Sequence, residues 1–300
     1  MLPLTVYRTM HRVAWRIAVS LAFLASGGGA RAAWQYDIDA GGLYDSNLTR
    51  AYAPADIRAD GAFTLNATAG WFSALSGADG LTLSADARSE IYHRFHGLNF
   101  IGIGGSVTYR HKFGLGYAAP WITLGVSGSY EDYREKIRDG ARLEAVAELG
   151  KRFTPEFDAS FGGTFERRFA ANDEPVVPGI SGKVFALRGE SVFARAAYAA
   201  SDRLLVAAKL KVRRGDVVAT TRPDFDIFTV SDAIAADPTF GPDFFAYRLR
   251  GTTDTASVSA SWALDERSSL NLLYADERTD AAGGIYYRSH SVRLVYAWRH

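Results

Sequence analysis

From Trp34 onward the chain repeats one pattern, apolar and polar residues alternating with period two, segment after segment to the end. Successive side chains of a β-strand point to opposite faces, so each such segment has one apolar and one polar side. Trp34, Tyr36, Ile38 and Ala40 against Gln35, Asp37 and Asp39 make the first; Phe63, Leu65, Ala67, Ala69 and Trp71 against Thr64, Asn66 and Thr68 make the second. Read this way the sequence holds about twelve strands. The eighth, Val192 to Tyr198, is the weakest, because Glu190 falls on its apolar parity.

A soluble β-sandwich alternates too, so the polar face decides. Here it carries charges in mid-strand: Arg88 with Glu90, Glu144 with Glu148, Lys209 with Lys211. The apolar face is Ala, Leu and Val, with Tyr, Trp or Phe near strand ends, and aromatics reach 13% of the chain. Apolar outside, charged inside and girdled by aromatics is the pattern of a transmembrane barrel. Lipid offers no hydrogen bonds, so a sheet that crosses it must close on itself. The expected fold is all-β, an antiparallel up-and-down transmembrane barrel over residues 33–300. The connections agree. Short turns at residues 76–80, 154–156, 200–203 and 264–267 alternate with mostly longer loops, the longest running from Thr220 to Phe244. Short periplasmic turns and long outer loops build such barrels, and an even strand count leaves both ends on the periplasmic side.

Residues 1–32 read as a secretory signal peptide. Arg8, Arg12 and Arg16 precede the apolar stretch Ile17 to Ala25, and small residues end in Ala30-Arg31-Ala32. The apolar stretch is too short to span a bilayer. With no cysteine, the chain has neither a disulfide framework nor a thiol nucleophile. Its 34 basic and 33 acidic residues give no field that would favour nucleic acid.

The segment Tyr44-Asp45-Ser46-Asn47-Leu48-Thr49-Arg50 resembles the Y-D-S-N element of β-barrel porins and of the barrel domain of surface lipoprotein assembly modifiers. The chain from residue 33 resembles Gram-negative outer-membrane β-barrel proteins throughout. Its last strand, with Val292, Leu294, Tyr296 and Trp298, resembles the outer-membrane assembly signal, although it ends in Arg299-His300 instead of an aromatic. The resemblance implies export through the periplasm to the outer membrane. It also implies recognition by the assembly machinery and contact with outer-membrane lipid and lipopolysaccharide.

No serine-hydrolase elbow, zinc-protease helix or phosphate loop is present, and no cofactor or catalytic residue is expected. Gly102-Ile103-Gly104-Gly105 reads as a strand packed closely on a barrel neighbour. His93 and His96, three apart on a strand, point to opposite faces and suit metal poorly; His290 and Ser291, being adjacent, cannot pair as base and nucleophile without a bulge. The candidate site is the set of charges with lumen parity: Arg88, Glu90, Arg110, Glu131, Arg142, Glu144, Glu148, Glu166, Lys209, Lys211, Arg213 and Arg293. These either line a narrow selective channel or zip into a salt-bridged core. The expected function is a porin-like channel for small polar or charged solutes. The rivals are an export or assembly barrel for polysaccharide or lipoprotein, and an outer-membrane lipid enzyme.

Two further expectations concern the loops. The loop from Thr220 to Phe244 holds Asp224, Asp226, Asp232, Asp237 and Asp243 and several Phe. It either folds into the vestibule, its aspartates meeting Lys209, Lys211 and Arg213, or stays a mobile surface loop or receptor site. Arg134, Lys136, Arg138, Arg248 and Arg250 are solvated or meet lipopolysaccharide phosphates.

Overall fold

The computed structural model describes residues 32–116 and 118–300; the leader read over residues 1–32 lies, but for its last residue, outside them. The strands are β1 Ala32–Asp45, β2 Asp60–Ala74, β3 Asp79–Tyr92, β4 Phe100–Lys112, β5 Trp121–Tyr133, β6 Gly140–Arg152 and β7 Phe157–Ala170. They continue with β8 Arg188–Ala199, β9 Leu204–Thr221, β10 Ala233–Ala236, β11 Phe245–Ala263, β12 Ser268–Ala281 and β13 Ile285–Arg299. One short helix, α1, covers Phe225–Thr229.

Each strand pairs antiparallel with its neighbours, and two joints close the ring. β13 returns to β1, with Ile38 opposite Trp298, and β9 pairs directly with β11 from Leu204 opposite Trp262 up to Thr221 opposite Phe245. Twelve strands therefore form the barrel, and β10 stands outside it, paired with the far end of β11. The weak eighth strand is real: β8 is held between β7 and β9 along its length. Closure leaves no edge, so every wall segment has hydrogen-bonded partners on both sides.

The alternation sets the faces as the sequence requires. Phe63, Ile101, Val126, Phe161, Leu210 and Val258 stand exposed on the outside. The glycines of β4 serve the lumen. A Cβ at Gly104 would lie 2.9 Å from a carboxylate oxygen of Asp86, and one at Gly102 would lie 3.1 Å from the Arg88 side chain. The close approach is thus to neighbouring lumen side chains, and the glycines clear space for charge.

One row of the wall is glycine across three strands: Gly189 opposite Gly215 opposite Gly251. Gly215 has φ +149°, and a Cβ there would lie 2.2 Å from the Arg188 carbonyl oxygen. β8 begins and β12 ends beside this row, so above it β9 and β11 continue as a ribbon, with β10 added on the free side of β11 over residues 245–248. The ribbon is buried on both faces, Ala219 and Leu249 on one and Ala246 and Thr220 on the other. Val217, Tyr247 and Leu249 pack with Ile227, Ile234, Ile285 and Tyr287; Ala246 packs with Ile137, Val184 and Phe185.

The Y-D-S-N segment secures the same outer end, beside the ribbon. Asn47, 1% exposed, donates to the carbonyls of Ala51 (2.9 Å) and Arg288 (3.1 Å), and its side-chain oxygen accepts from the Thr49 hydroxyl and the Ala51 N–H. Asp45 accepts from Arg50 (2.9 Å), from the Ser289 hydroxyl (2.6 Å) and from the Asn47 N–H (2.8 Å). Arg50 itself sits in the left-handed region, φ +51°, and also meets Glu277 at 3.3 Å. The motif staples the β1–β2 loop to β12 and β13.

Two outcomes follow from this architecture. Ala208→Arg puts a charge on the lipid face of β9 and should cost about 2–4 kcal/mol near the midplane, whereas Thr164→Arg, facing the lumen, should cost far less. Urea titration of folding into lipid vesicles, read by heat-modifiable gel mobility, compares them. Asn47→Ala should strip buried partners worth about 1–3 kcal/mol each while sparing the barrel. Faster tryptic cleavage at Arg50 and Arg58, with the barrel fragment intact, is the expected pattern.

Candidate functional site

Inside the barrel the charges sort into three paired groups and a remainder. Arg88 of β3 donates to Glu131 of β5 at 2.5 Å and to the Ser129 hydroxyl at 3.1 Å; Glu131 also receives Arg168 of β7 at 3.2 Å. Arg142 of β6 reaches Glu144 at 3.3 Å and Glu166 of β7 at 2.7 Å, and Glu166 is gripped from the other side by Arg213 of β9 at 2.5 Å. Arg293 of β13 meets Glu90 of β3 at 3.2 Å, across the two intervening strands. Some of the lumen charges are therefore paired and others are not. Among the described residues Lys209 and Lys211 have no carboxylate within 4 Å, and Glu148 has no cation within it. Arg110 instead lies over the Trp121 ring at 4.7 Å, and Lys209 over the Phe193 ring at 4.3 Å.

The unpaired lysines face open space. A pocket lies against the wall formed by β6 to β9, bordered by Arg142, Glu166, Phe193, Lys209, Lys211 and Arg213. Half the ring away, six strands round from β9, β3 carries Asp86 and Glu90. The β9 wall is thus cationic, while on β3 Glu90 is matched by Arg293 and Arg88 by Glu131, which leaves Asp86 as the acid of that strand's lumen face without an ion pair among the described residues. Sequence reading passed over Arg168, Phe193 and Arg195. Parity alone assigns all three inward, but Arg168 sits near a strand end, and Phe193 and Arg195 belong to the strand whose pattern Glu190 disturbs.

The outer mouth is crossed by the loop between β9 and β11. It touches each of the five other outer loops. Thr220 N–H donates to the Thr49 carbonyl at 2.7 Å, the Arg222 guanidinium bonds Asp56 at 2.6 Å, and Phe240 packs on Phe95 with centroids 5.1 Å apart. Fully buried Asp237 accepts from Arg138 and, at 3.2 Å, from Thr220; Ser181 bridges to Ala233, and Gly283 lies against Val230. Asp224 caps α1 through the N–H groups of Asp226 and Ile227 and accepts from the Tyr52 hydroxyl at 2.5 Å. That bond pushes the Tyr52 pKa up to about 12 and holds Asp224 below the usual carboxylate range. At Asp56 burial pushes upward, but bonds from Thr221 and Arg222 outweigh it and the net shift is downward.

The loop packs inward, then, but its aspartates do not meet Lys209, Lys211 or Arg213 as the sequence suggested. Their partners are Arg138, Tyr52 and, at 3.7 Å, Arg250. The reason is height. The loop leaves β9 six residues beyond Gly215, roughly 20 Å further along the strand at about 3.3 Å per residue. Its phenylalanines divide as well: Phe240 and Phe244 are buried, while Phe225 is 78% exposed.

The remaining candidates have local roles. His290 faces outward, its ring 2.9 Å from the Tyr274 hydroxyl and 3.3 Å from Asp276, while Ser291 occupies the opposite face. His96 contacts the Tyr92 carbonyl at 3.0 Å, and His93 is exposed. Of the basic loop residues, Lys136 is held by Asp132 and Asp139, Arg138 by Asp237, and Arg248 donates to the carbonyls of Lys183 and Ala186.

No protein-family model matches the chain, and no curated protein does either. Among solved structures, an outer-membrane channel of Pseudomonas putida F1 superposes with TM-score 0.54 at 11% identity, over 92% of this chain and 97% of that one. The NanC porin gives 0.48 at 10% identity, over 87% of this chain and 98% of that one. The KdgM porin gives 0.43 at 10% identity over the same shares. What is common at such identities is the fold: the chain is a closed twelve-stranded antiparallel β-barrel of the outer-membrane type.

Proposed function

We propose that the barrel is an outer-membrane channel for small solutes and that it favours anions. The observation that carries this reading is the pair Lys209 and Lys211, side by side in facing parity on β9, without carboxylate partners and open to the lumen pocket. A charge buried without partner or water costs several kcal/mol, so unpaired lysines in the interior argue for a wetted path. Channels select by such charged linings. Asp86, without an ion pair on the facing wall, adds to the field across the path, and a passing anion is drawn toward β9. The likeness in fold to the Pseudomonas putida channel supports the reading. The loop from β9 to β11 narrows the entrance, since five neighbouring loops hold it over the mouth.

Planar-bilayer recording tests both parts. The parent should conduct with anion preference, and Lys209→Glu with Lys211→Glu should reverse the preference while preserving a barrel of normal gel mobility. Replacing residues 223–243 by a short Gly/Ser linker should raise single-channel conductance. Such a linker suffices because Thr221 and Phe245 are already paired. A parent that carries no current even with the loop removed would overturn the channel. Conductance and selectivity indifferent to the lysines would overturn the anion preference.

A further inference from the structure

Most charges inside this barrel are matched by the chain itself; one group outside is not. Above the apolar belt, the outer ends of β7 to β13 present six exposed arginines: Arg167, Arg188, Arg214, Arg250, Arg278 and Arg288. The outer ends of β1 to β6 present no arginine or lysine at outward strand positions. Two pairs among the six stand directly opposite each other in the ladder, Arg278 with Arg288 and Arg167 with Arg188. Like charges so placed repel.

The two pairs are resolved differently. Asp276 lies between Arg278 and Arg288, at 3.1 Å and 2.7 Å, and bridges them from within. No carboxylate bridges the guanidiniums of Arg167 and Arg188 in this way among the described residues. Among the described residues neither guanidinium has a carboxylate within 4 Å, nor does that of Arg214 on the next strand; Glu190, opposite Arg214 in the ladder, makes no ion pair with them, and the Asp216 carboxylate takes only the Arg188 backbone N–H, at 2.8 Å. Both guanidiniums are nevertheless placed, Arg167 over the Phe169 ring at 4.8 Å and Arg188 over the Phe165 ring at 5.4 Å. Immediately below lies an apolar strip of Phe161, Val192 and Leu210, exposed by 61%, 52% and 65%. A ligand that suits this arrangement has acyl chains for the strip and a doubly charged group at the height of the arginines.

We propose that Arg167 and Arg188, with Arg214 beside them, bind a phosphate of the outer-leaflet glycolipid, the phosphorylated sugar of lipopolysaccharide. Planar guanidiniums present paired N–H donors that match phosphate oxygens, and aromatic faces hold them in place. The site depends on the barrel's place in the outer membrane and not on conduction through it.

The probe is bisphosphorylated lipid A, titrated against the detergent-solubilised barrel by native mass spectrometry. Dephosphorylated lipid A, phosphatidylglycerol and inorganic phosphate are run in parallel. Arg167→Gln with Arg188→Gln should weaken bisphosphorylated lipid A about tenfold or more, while the paired control Arg278→Gln with Arg288→Gln should not. Dephosphorylated lipid A should bind parent and variant alike. Arg167→Lys with Arg188→Lys keeps the charge and loses the paired donors; it should fall between, and it stands in should the glutamine variant fail to fold. Equal affinity of parent and both variants for bisphosphorylated lipid A would overturn the site. Phosphatidylglycerol binding as tightly as lipid A would overturn its glycolipid character, and inorganic phosphate displacing lipid A at equal concentration would show a simple anion site and overturn the lipid assignment.

Discussion

The whole molecule depends on the satisfaction of backbone hydrogen bonds where no water can help. A strand in hydrocarbon needs partners along both edges, so the sheet must meet itself. The joint between β1 and β13 and the joint between β9 and β11 meet that need. Once the ring is closed, the period-two pattern has only one stable sense. Leu210 and Val258 face lipid, and Lys209 and Ser257 face in, because a slip of one residue would exchange them.

Closure also creates the lumen, an interior too polar to pack like a core. Its charges are settled by geometry. Glu131 and Glu166 each take two arginines from strands on either side, which leaves the lysines of β9 without an acidic partner. Surplus cation on the β9 wall, with Asp86 left without an ion pair on the facing one, follows from how the pairs are shared out, even though the chain as a whole is close to neutral.

At the outer end the same arithmetic recurs with different partners. The ribbon of β9 and β11 rises past the glycine row and lifts its loop out of reach of the lumen charges. The loop's acids then serve as anchors for neighbouring loops: Asp237 for Arg138, Asp224 for Tyr52. Asp45, Asn47 and Thr49 form another anchor on the β1–β2 loop, which explains why a short polar motif stands just after the first strand.

Alternation along each strand is a local property, and it determined the fold class, the strand count, the facing of Arg88 or Leu210 and the place of the short turns. Even the disturbed eighth strand kept its parity, because one outward Glu190 near the rim costs little. Which charge meets which was decided only by the tertiary structure. Arg293 finds Glu90 across two intervening strands, and Arg168 finds Glu131, through a curvature and register that no single strand encodes. The destination of the long loop was likewise beyond the sequence: composition showed aspartates seeking cations, but the height of the ribbon chose Arg138 over Lys211. Periodicity is written residue by residue, whereas distance across a closed ring depends on every strand at once.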